Sequence, residues 1–187
     1  MNVIIFGPPG AGKGTQAINI SKKFNLYQIS TGDLLRNEVK NKTEIGKDIE
    51  NIISKGDFAT DEIVNELIKK AIFDKNKKNK LIFDGYPRSV SQAKNLESMM
   101  NESNQKIDFI FFLNVSKDTI ISRIEKRKVL ETRADDNLTT ILKRYETYMM
   151  TTKPVLDFYS KKSNFYEIDG SEKIIEISDK IEQILSV

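Results

Sequence analysis

The sequence contains neither cysteine nor histidine. Without cysteine there is no disulfide framework and no thiolate zinc site, and without histidine there is no imidazole to act as base or metal ligand. The lack of thiols fits a cytosolic location. No window approaches the roughly 20 apolar residues needed to cross a bilayer. No charged-then-apolar leader precedes the first apolar run, so neither a membrane span nor export is expected. Long linkers, low-complexity tracts and internal repeats are also missing. The net charge of +3 is modest, and basic residues are interleaved with acidic ones. The densest basic stretch, Lys75-Asn76-Lys77-Lys78-Asn79-Lys80, reads as a solvated connection between a helix and a strand, not a nucleic-acid footprint.

With 187 residues, 39% of them hydrophobic and 30% charged, one compact domain is expected. The apolar run Val3-Ile4-Ile5-Phe6 feeds directly into Gly7-Pro8-Pro9-Gly10-Ala11-Gly12-Lys13-Gly14-Thr15. That order predicts a buried strand, a glycine loop and a helix whose first residue is near Lys13. Backbone N–H groups in such a loop cradle phosphate oxygens, and the positive end of the helix adds to the attraction. A Cβ would block both the turn and the approach of phosphate, hence Gly10, Gly12 and Gly14 around Ala11. Lys13 then bridges the outer phosphates. The residue after it is Gly14, so the hydroxyl that reaches a magnesium shell falls to Thr15, one place later than the general pattern. The loop predicts a binder of nucleoside triphosphates.

Further along, strands and helices alternate. Strands are expected at Val3 to Phe6, Leu26 to Ile29, Leu81 to Phe83, Phe109 to Leu113 and Phe165 to Ile168. These are short apolar runs without polar alternation, as in a parallel sheet covered on both faces. The fold class is therefore α/β, a three-layer nucleotide-binding fold around a five-stranded parallel sheet. The last helix places Ile174, Ile177, Ile181 and Ile184 on one face, a core-packing pattern. Two regions break the alternation. From Ser30 to Ala59 a capping box (Ser30, Asp33) and two helical segments, Asp33 to Lys40 and Glu44 to Ser54, exceed a minimal crossover and read as an inserted lobe. Thr60-Asp61-Glu62 then opens another helix. The second region, Lys126 to Asp136, is a polar link in which only Lys128 to Thr132 separate Arg127 from Arg133.

Gly7 to Gln16, Gln28-Ile29-Ser30-Thr31-Gly32-Asp33-Leu34-Leu35-Arg36, Phe83-Asp84-Gly85-Tyr86-Pro87-Arg88 with Gln92, and Thr132-Arg133-Ala134-Asp135-Asp136-Asn137 together resemble the adenylate kinase family over nearly the whole chain. The short Arg127 to Arg133 segment resembles its short-lid form. Longer members carry an extra lobe there, some with zinc ligands, so the resemblance implies no structural zinc here. It implies a P-loop core over residues 1–187, an inserted AMP-binding lobe at 30–59 and a short lid at 126–136. The implied reaction is Mg-dependent: ATP plus AMP gives two ADP, reversibly, by in-line transfer. Such transfer needs positioning and charge neutralisation more than a nucleophile or base.

Arginine is scarce, six residues against 24 lysines, and all six fall where the family pattern has nucleotide-contacting arginines. A planar guanidinium grips two phosphate oxygens at once, which an ammonium cannot do. By resemblance Lys13, Arg88, Arg127, Arg133 and Arg144 are catalytic. Gly10 to Thr15, Arg123, Arg127 and the main chain of Glu172 hold ATP. Thr31, Arg36, Asp57, Phe58, Ala59, Gly85, Tyr86, Pro87, Arg88, Gln92, Arg133 and Arg144 hold AMP. Asp84 and Thr15 hold magnesium through water, and Asp135 and Asp136 orient lid residues. Thr31 and Gln92 match the AMP-selective members, where pyrimidine kinases carry alanine and asparagine, and an amide suits both edges of adenine. Kinases for UMP, CMP or GMP, a non-catalytic nucleotide-gated module and a nucleic-acid binder are the alternatives. The expectation is a cytoplasmic monomer acting on ATP and AMP, without nucleic acid or membrane as partner.

Overall fold

In the computed structural model, which describes residues 1–54, 59–130 and 138–186, the apolar runs form five parallel strands in the order β2-β3-β1-β4-β5. Along the chain these are β1 (Val3–Phe6), α1 (Lys13–Phe24), β2 (Tyr27–Ser30), α2 (Thr31–Lys40), α3 (Glu44–Ser54), α4 (Asp61–Ile72) and β3 (Leu81–Asp84). Then come α5 (Val90–Glu102), β4 (Phe109–Asn114), α6 (Lys117–Leu130), α7 (Leu138–Thr147), a π-helical turn (Tyr148–Thr152), α8 (Lys153–Tyr159), β5 (Phe165–Asp169) and α9 (Ile174–Leu185). No helix among the described residues is long and apolar enough to cross a membrane.

Because side chains alternate along a strand, the central strands β1, β3 and β4 feed two cores. Ile4 and Phe6 of β1 join Ile29, Phe83, Ile68, Leu96, Val155 and Tyr159 on one face. Val3 and Ile5 join Ile20, Ile82, Phe111, Ile124 and Ile181 on the other. Both faces are covered by helices, which is why these strands carry no polar alternation.

The strand ends differ from the hydropathy reading in a consistent direction. β2, β3, β4 and β5 each run one residue further, to Ser30, Asp84, Asn114 and Asp169. These polar residues stay in the ladder because each has a neighbour to pair with: Ser30 lies opposite Asp84, and Asn114 opposite Asp169. They sit at the carboxyl edge, where the site lies. Leu26 is not a strand residue. Its amide donates to Ser21 O at 2.9 Å and closes α1 after Asn25, which takes a left-handed φ of 53°.

Among the described residues three α-helices, α2, α3 and α4, and a short 3-10 turn (Lys75–Lys77) separate β2 from β3. Ser30 caps α2, accepting from Asp33 N at 3.3 Å, while the Asp33 carboxylate pairs with Arg36 instead of completing the box. Thr60 precedes α4 with no side-chain cap bond. In α9, Ile177 and Ile181 are buried and Ile184 packs beside them, but Ile174 is 59% exposed. Ile174 is the first residue of the helix, one turn short of the core that the later positions reach, so the apolar face begins at Ile177.

Candidate active site

The glycine loop closes around its own lysine. Gly12 is the N-cap of α1 at φ 93°, a left-handed conformation that residues with a Cβ rarely adopt. No side chain caps this helix, so its first N–H groups remain for a ligand, and the helix dipole favours an anion there. Lys13 Nζ donates to Gly7 O at 2.8 Å and Pro8 O at 2.9 Å, which curls the side chain back over the loop. Ala11 is fully buried and anchors the loop, while Thr15 is exposed on the first turn.

Asp84, at the carboxyl end of β3, is only 9% exposed. Burial pushes its carboxyl up from the ordinary value, while the charges of Lys13 and Arg88 and a Gln28 amide bond pull it down. Gln28 Nε2 donates to Asp84 Oδ2 at 3.3 Å. A Cβ on Gly14 would lie 3.4 Å from the same Oδ2, so the carboxylate faces the first turn of α1. A buried carboxylate there and a hydroxyl on that turn are hard oxygen donors, and a desolvated negative charge is eased by a divalent cation. The pair fits magnesium, which keeps water and substrate phosphates as its other ligands. Among the described residues no group of three or more carboxylates is placed to hold a metal ion.

Next to Asp84, Gly85 takes a φ of 77°, and its carbonyl accepts from both Thr31 Oγ1 at 2.8 Å and Arg88 Nε at 2.7 Å. A Cβ here would come within 3.0 Å of Arg88 Nη2 and 3.1 Å of Thr31 Oγ1 and would be strained at this positive φ, so the position favours glycine. Arg88 Nη2 also donates to Thr31 Oγ1 at 3.3 Å. Burial holds the Arg88 guanidinium down at about 10, with the like charges of Arg144 and Arg36 acting in the same direction and Asp84 against them. Three guanidiniums gathered in electrostatic range favour an anion between them. Arg36 is steadied by Asp33 at 2.5 Å. Gln92, 4% exposed, accepts at Oε1 from Arg88 N at 2.7 Å.

A cavity at the carboxyl ends of β1 and β3 is lined by Gly7, Pro9, Lys13, Gly85, Pro87, Arg88 and Arg144, together with Tyr148 and Thr152. The last two escaped the motif reading. Their signal is helical spacing: Arg144, Tyr148 and Thr152 follow one another at four-residue steps, and the π-helical turn keeps them along one side. Thr152 Oγ1 donates to Arg88 O at 3.1 Å.

Other expected contacts fall apart from this cavity. Arg123 bridges Ala11 O at 3.3 Å and Glu172 O at 3.4 Å, linking the glycine loop to the loop after β5. The Glu172 carboxylate is engaged by Lys180 at 2.6 Å, leaving its main chain for a ligand. Tyr86 is 1% exposed with its hydroxyl on Asn65, and Ala59 lies in the core, so neither side chain faces the cavity openly. Asp57, Phe58, Arg133, Asp135 and Asp136 lie outside the described residues. Arg127 is on α6, and its side chain is likewise outside the description.

Comparison with known proteins points in the same direction. A family model described as Adenylate kinase matches residues 5–164. The adenylate kinase of Pelagibacter ubique is 50% identical over 213 aligned positions that cover all of both chains. That of Azobacteroides pseudotrichonymphae is 43% identical over 182 residues, 97% of this chain and 95% of its own. That of Caulobacter sp. is 37% identical over 187 residues, 100% of this chain and 99% of its own. The Pelagibacter alignment is 26 positions longer than the 187 residues here, whereas the Caulobacter alignment has no such surplus.

Proposed function

The chain belongs to the adenylate kinase family, in its short-lid form, and from that premise we propose how its residues divide the reaction. It is a nucleoside monophosphate kinase that transfers a phosphoryl group between MgATP and AMP, giving two ADP reversibly. A phosphate oxygen of AMP attacks the γ-phosphorus in line, and the bond to the β–γ bridging oxygen breaks. The acceptor is already an oxyanion, so no general base is required.

In this reading the N–H groups of Gly10 to Thr15 and the Lys13 ammonium hold the ATP phosphates. Lys13 leaves its two loop carbonyls to do so. Arg88 and Arg36 hold the AMP phosphate. Arg88 is already anchored through Nε on Gly85 O, so its Nη groups are aimed without further loss of side-chain freedom. Arg144, with Arg127 and Arg133, closes on the charge of the transferred group. Asp84 and Thr15 would hold the magnesium of MgATP through water, which would supply charge neutralisation at the phosphates. Arg123 packs on the ATP adenine beside the backbone of residues 170–172. Thr31 and Gln92 meet the AMP base, with Asp57, Phe58, Ala59 and the Gly85-Tyr86-Pro87 backbone around it. Residues 30–59 and 126–136 act as the two closing pieces on a single core domain and exclude water until both nucleotides are bound. We assign the protein to the cytoplasm as a monomer, with no nucleic acid or membrane as partner.

The observation that carries this division is the convergence of Lys13, Arg88 and Arg144 on one cavity that touches both the glycine loop and Gly85. Its test is a product assay with MgATP against AMP, CMP, UMP and GMP, using ATP alone as the leakage control. ADP formation preferring AMP is expected, and Arg88→Lys should cut kcat/KM for AMP by about a hundredfold through loss of the planar fork. A pyrimidine acceptor would overturn the base assignment, and an unaffected Arg88→Lys enzyme would overturn the phosphate assignment.

A further inference from the structure

Asp61 is the first residue of α4, and its carboxylate reaches away from that helix to the segment after β3. Oδ1 accepts from Gln92 Nε2 at 2.6 Å, and Oδ2 accepts from Ser89 Oγ at 3.2 Å. Ser89 in turn caps α5, accepting from Gln92 N at 3.1 Å. On its other side Gln92 Oε1 accepts from Arg88 N at 2.7 Å. One turn along α4, Asn65 Oδ1 takes the Tyr86 hydroxyl at 2.6 Å, so the helix holds the same segment at two points.

An ionised carboxylate only accepts hydrogen bonds, and a backbone N–H only donates. The Gln92 amide between them therefore has one orientation, with its NH2 towards Asp61 and its oxygen towards Arg88. A half-turn of the amide would set oxygen against carboxylate and NH2 against N–H. That loses two bonds, one of them charge-assisted, and adds two repulsions. So arranged, the amide keeps one N–H and one oxygen lone pair. The two purines differ in the edge they offer such a pair. Adenine presents an amino donor beside a ring-nitrogen acceptor, and guanine presents a carbonyl acceptor beside a ring N–H donor. An amide held one way suits the first, and the flipped amide suits the second.

We infer that Asp61 is a positioning residue that sets base specificity at the acceptor site, by locking the Gln92 amide in the orientation that matches adenine and opposes guanine. This rests on the reading of Gln92 as a contact to the AMP base. In Asp61→Asn the shape is kept, but the new amide can offer Gln92 either a donor or an acceptor, so the lock loses its sign.

The experiment measures dissociation constants for AMP and GMP, and KM and kcat with AMP, in the full chain carrying Asp61→Asn, Asp61→Glu, Ser89→Ala or Gln92→Leu. Asp61→Asn should shrink the AMP-over-GMP affinity ratio by about tenfold, the scale of one charge-assisted bond. KM for AMP should rise by more than kcat falls, with KM for MgATP unmoved. Asp61→Glu, which restores a carboxylate, should recover most of the ratio. Ser89→Ala, which removes the other partner of Asp61, should leave the ratio intact. A merely structural Asp61 would lower Tm and weaken AMP and GMP together, and an unchanged ratio in Asp61→Asn overturns the inference. So does a Ser89→Ala ratio that falls as far as that of Asp61→Asn. If Gln92→Leu abolishes the ratio while Asp61→Asn does not, the base-contact reading stands and only the lock fails. If Gln92→Leu leaves the ratio unchanged, the base-contact reading itself fails.

Discussion

Gly46→Ala sets two opposing effects of known size against each other. Gly46 lies inside α3, where alanine is the better helix former by about 1 kcal/mol. On propensity alone the substitution stabilises. The tertiary setting opposes it: a Cβ at Gly46 would lie 2.1 Å from Glu38 O, 2.5 Å from Glu38 C and 2.9 Å from Val39 N. All three are backbone atoms of α2, so no side-chain rotation relieves the clash. Ordinary contact begins at 3.4 Å, so α2 and α3 must part by about 1.3 Å. Parting them also stretches the bonds that Glu38 O accepts from Thr43 N at 3.2 Å and Thr43 Oγ1 at 3.4 Å. Overpacking of this kind costs about 3 kcal/mol, the upper end of the usual range, because backbone must yield. The clash wins, with a net loss of about 2 kcal/mol and a fall in Tm of about 4–8 °C for a chain of this length. α2 carries Thr31 and Arg36, so KM for AMP should rise while KM for MgATP holds. The assay is thermal unfolding alongside initial rates with each nucleotide varied. A Tm equal to or above that of the parent would refute the reasoning, because propensity would then have outweighed the contact.

Two further outcomes follow from buried polar groups. Burial raises the Asp84 carboxyl in the folded chain, so its neutral form favours folding. That contribution is full below the ordinary value of 3.8 and is lost as pH rises through the raised folded value. Asp84→Asn, which mimics the neutral form, should therefore raise Tm at neutral pH in nucleotide-free protein while abolishing Mg-dependent transfer, and a lowered Tm would contradict the burial argument. The Tyr148 and Tyr159 hydroxyls are buried without a hydrogen-bond partner. Tyr148→Phe and Tyr159→Phe should each raise stability by about 1 kcal/mol in denaturant unfolding of the nucleotide-free protein, since an unsatisfied desolvated hydroxyl disappears. A loss of stability in Tyr148→Phe, which lines the cavity, would instead mean that its hydroxyl is hydrogen-bonded to an ordered water there.

Much of the molecule was legible in the chain because the signals are local. Val3 to Phe6 must be a strand, since four apolar residues between turn-formers have nowhere to go but a covered sheet. Gly12 and Lys13 announce the phosphate loop because a left-handed N-cap and a cation are needed within a few residues of each other. Ser30, Asp84, Asn114 and Asp169 were harder to place. They are polar residues that hydropathy reads as loop, yet the neighbouring strand keeps each in its ladder. Ile174 failed in the opposite sense: helical spacing put it on the apolar face, but the buried face begins one turn after it, at Ile177.

By itself, then, the sequence determined the alternation of strands and helices and the glycine loop that opens α1, both of which depend on residues close together in the chain. Only the tertiary structure decided which charges meet. Arg88 lies near Arg144 and Asp84, and Gln28 reaches Asp84, because parallel strands align their carboxyl ends at one edge. Asp61, which the sequence marks only as the start of a helix, closes on Gln92 across 31 positions of chain. No periodicity encodes such a contact: it exists because α4 and α5 pack side by side, and only that packing brings a carboxylate to an amide.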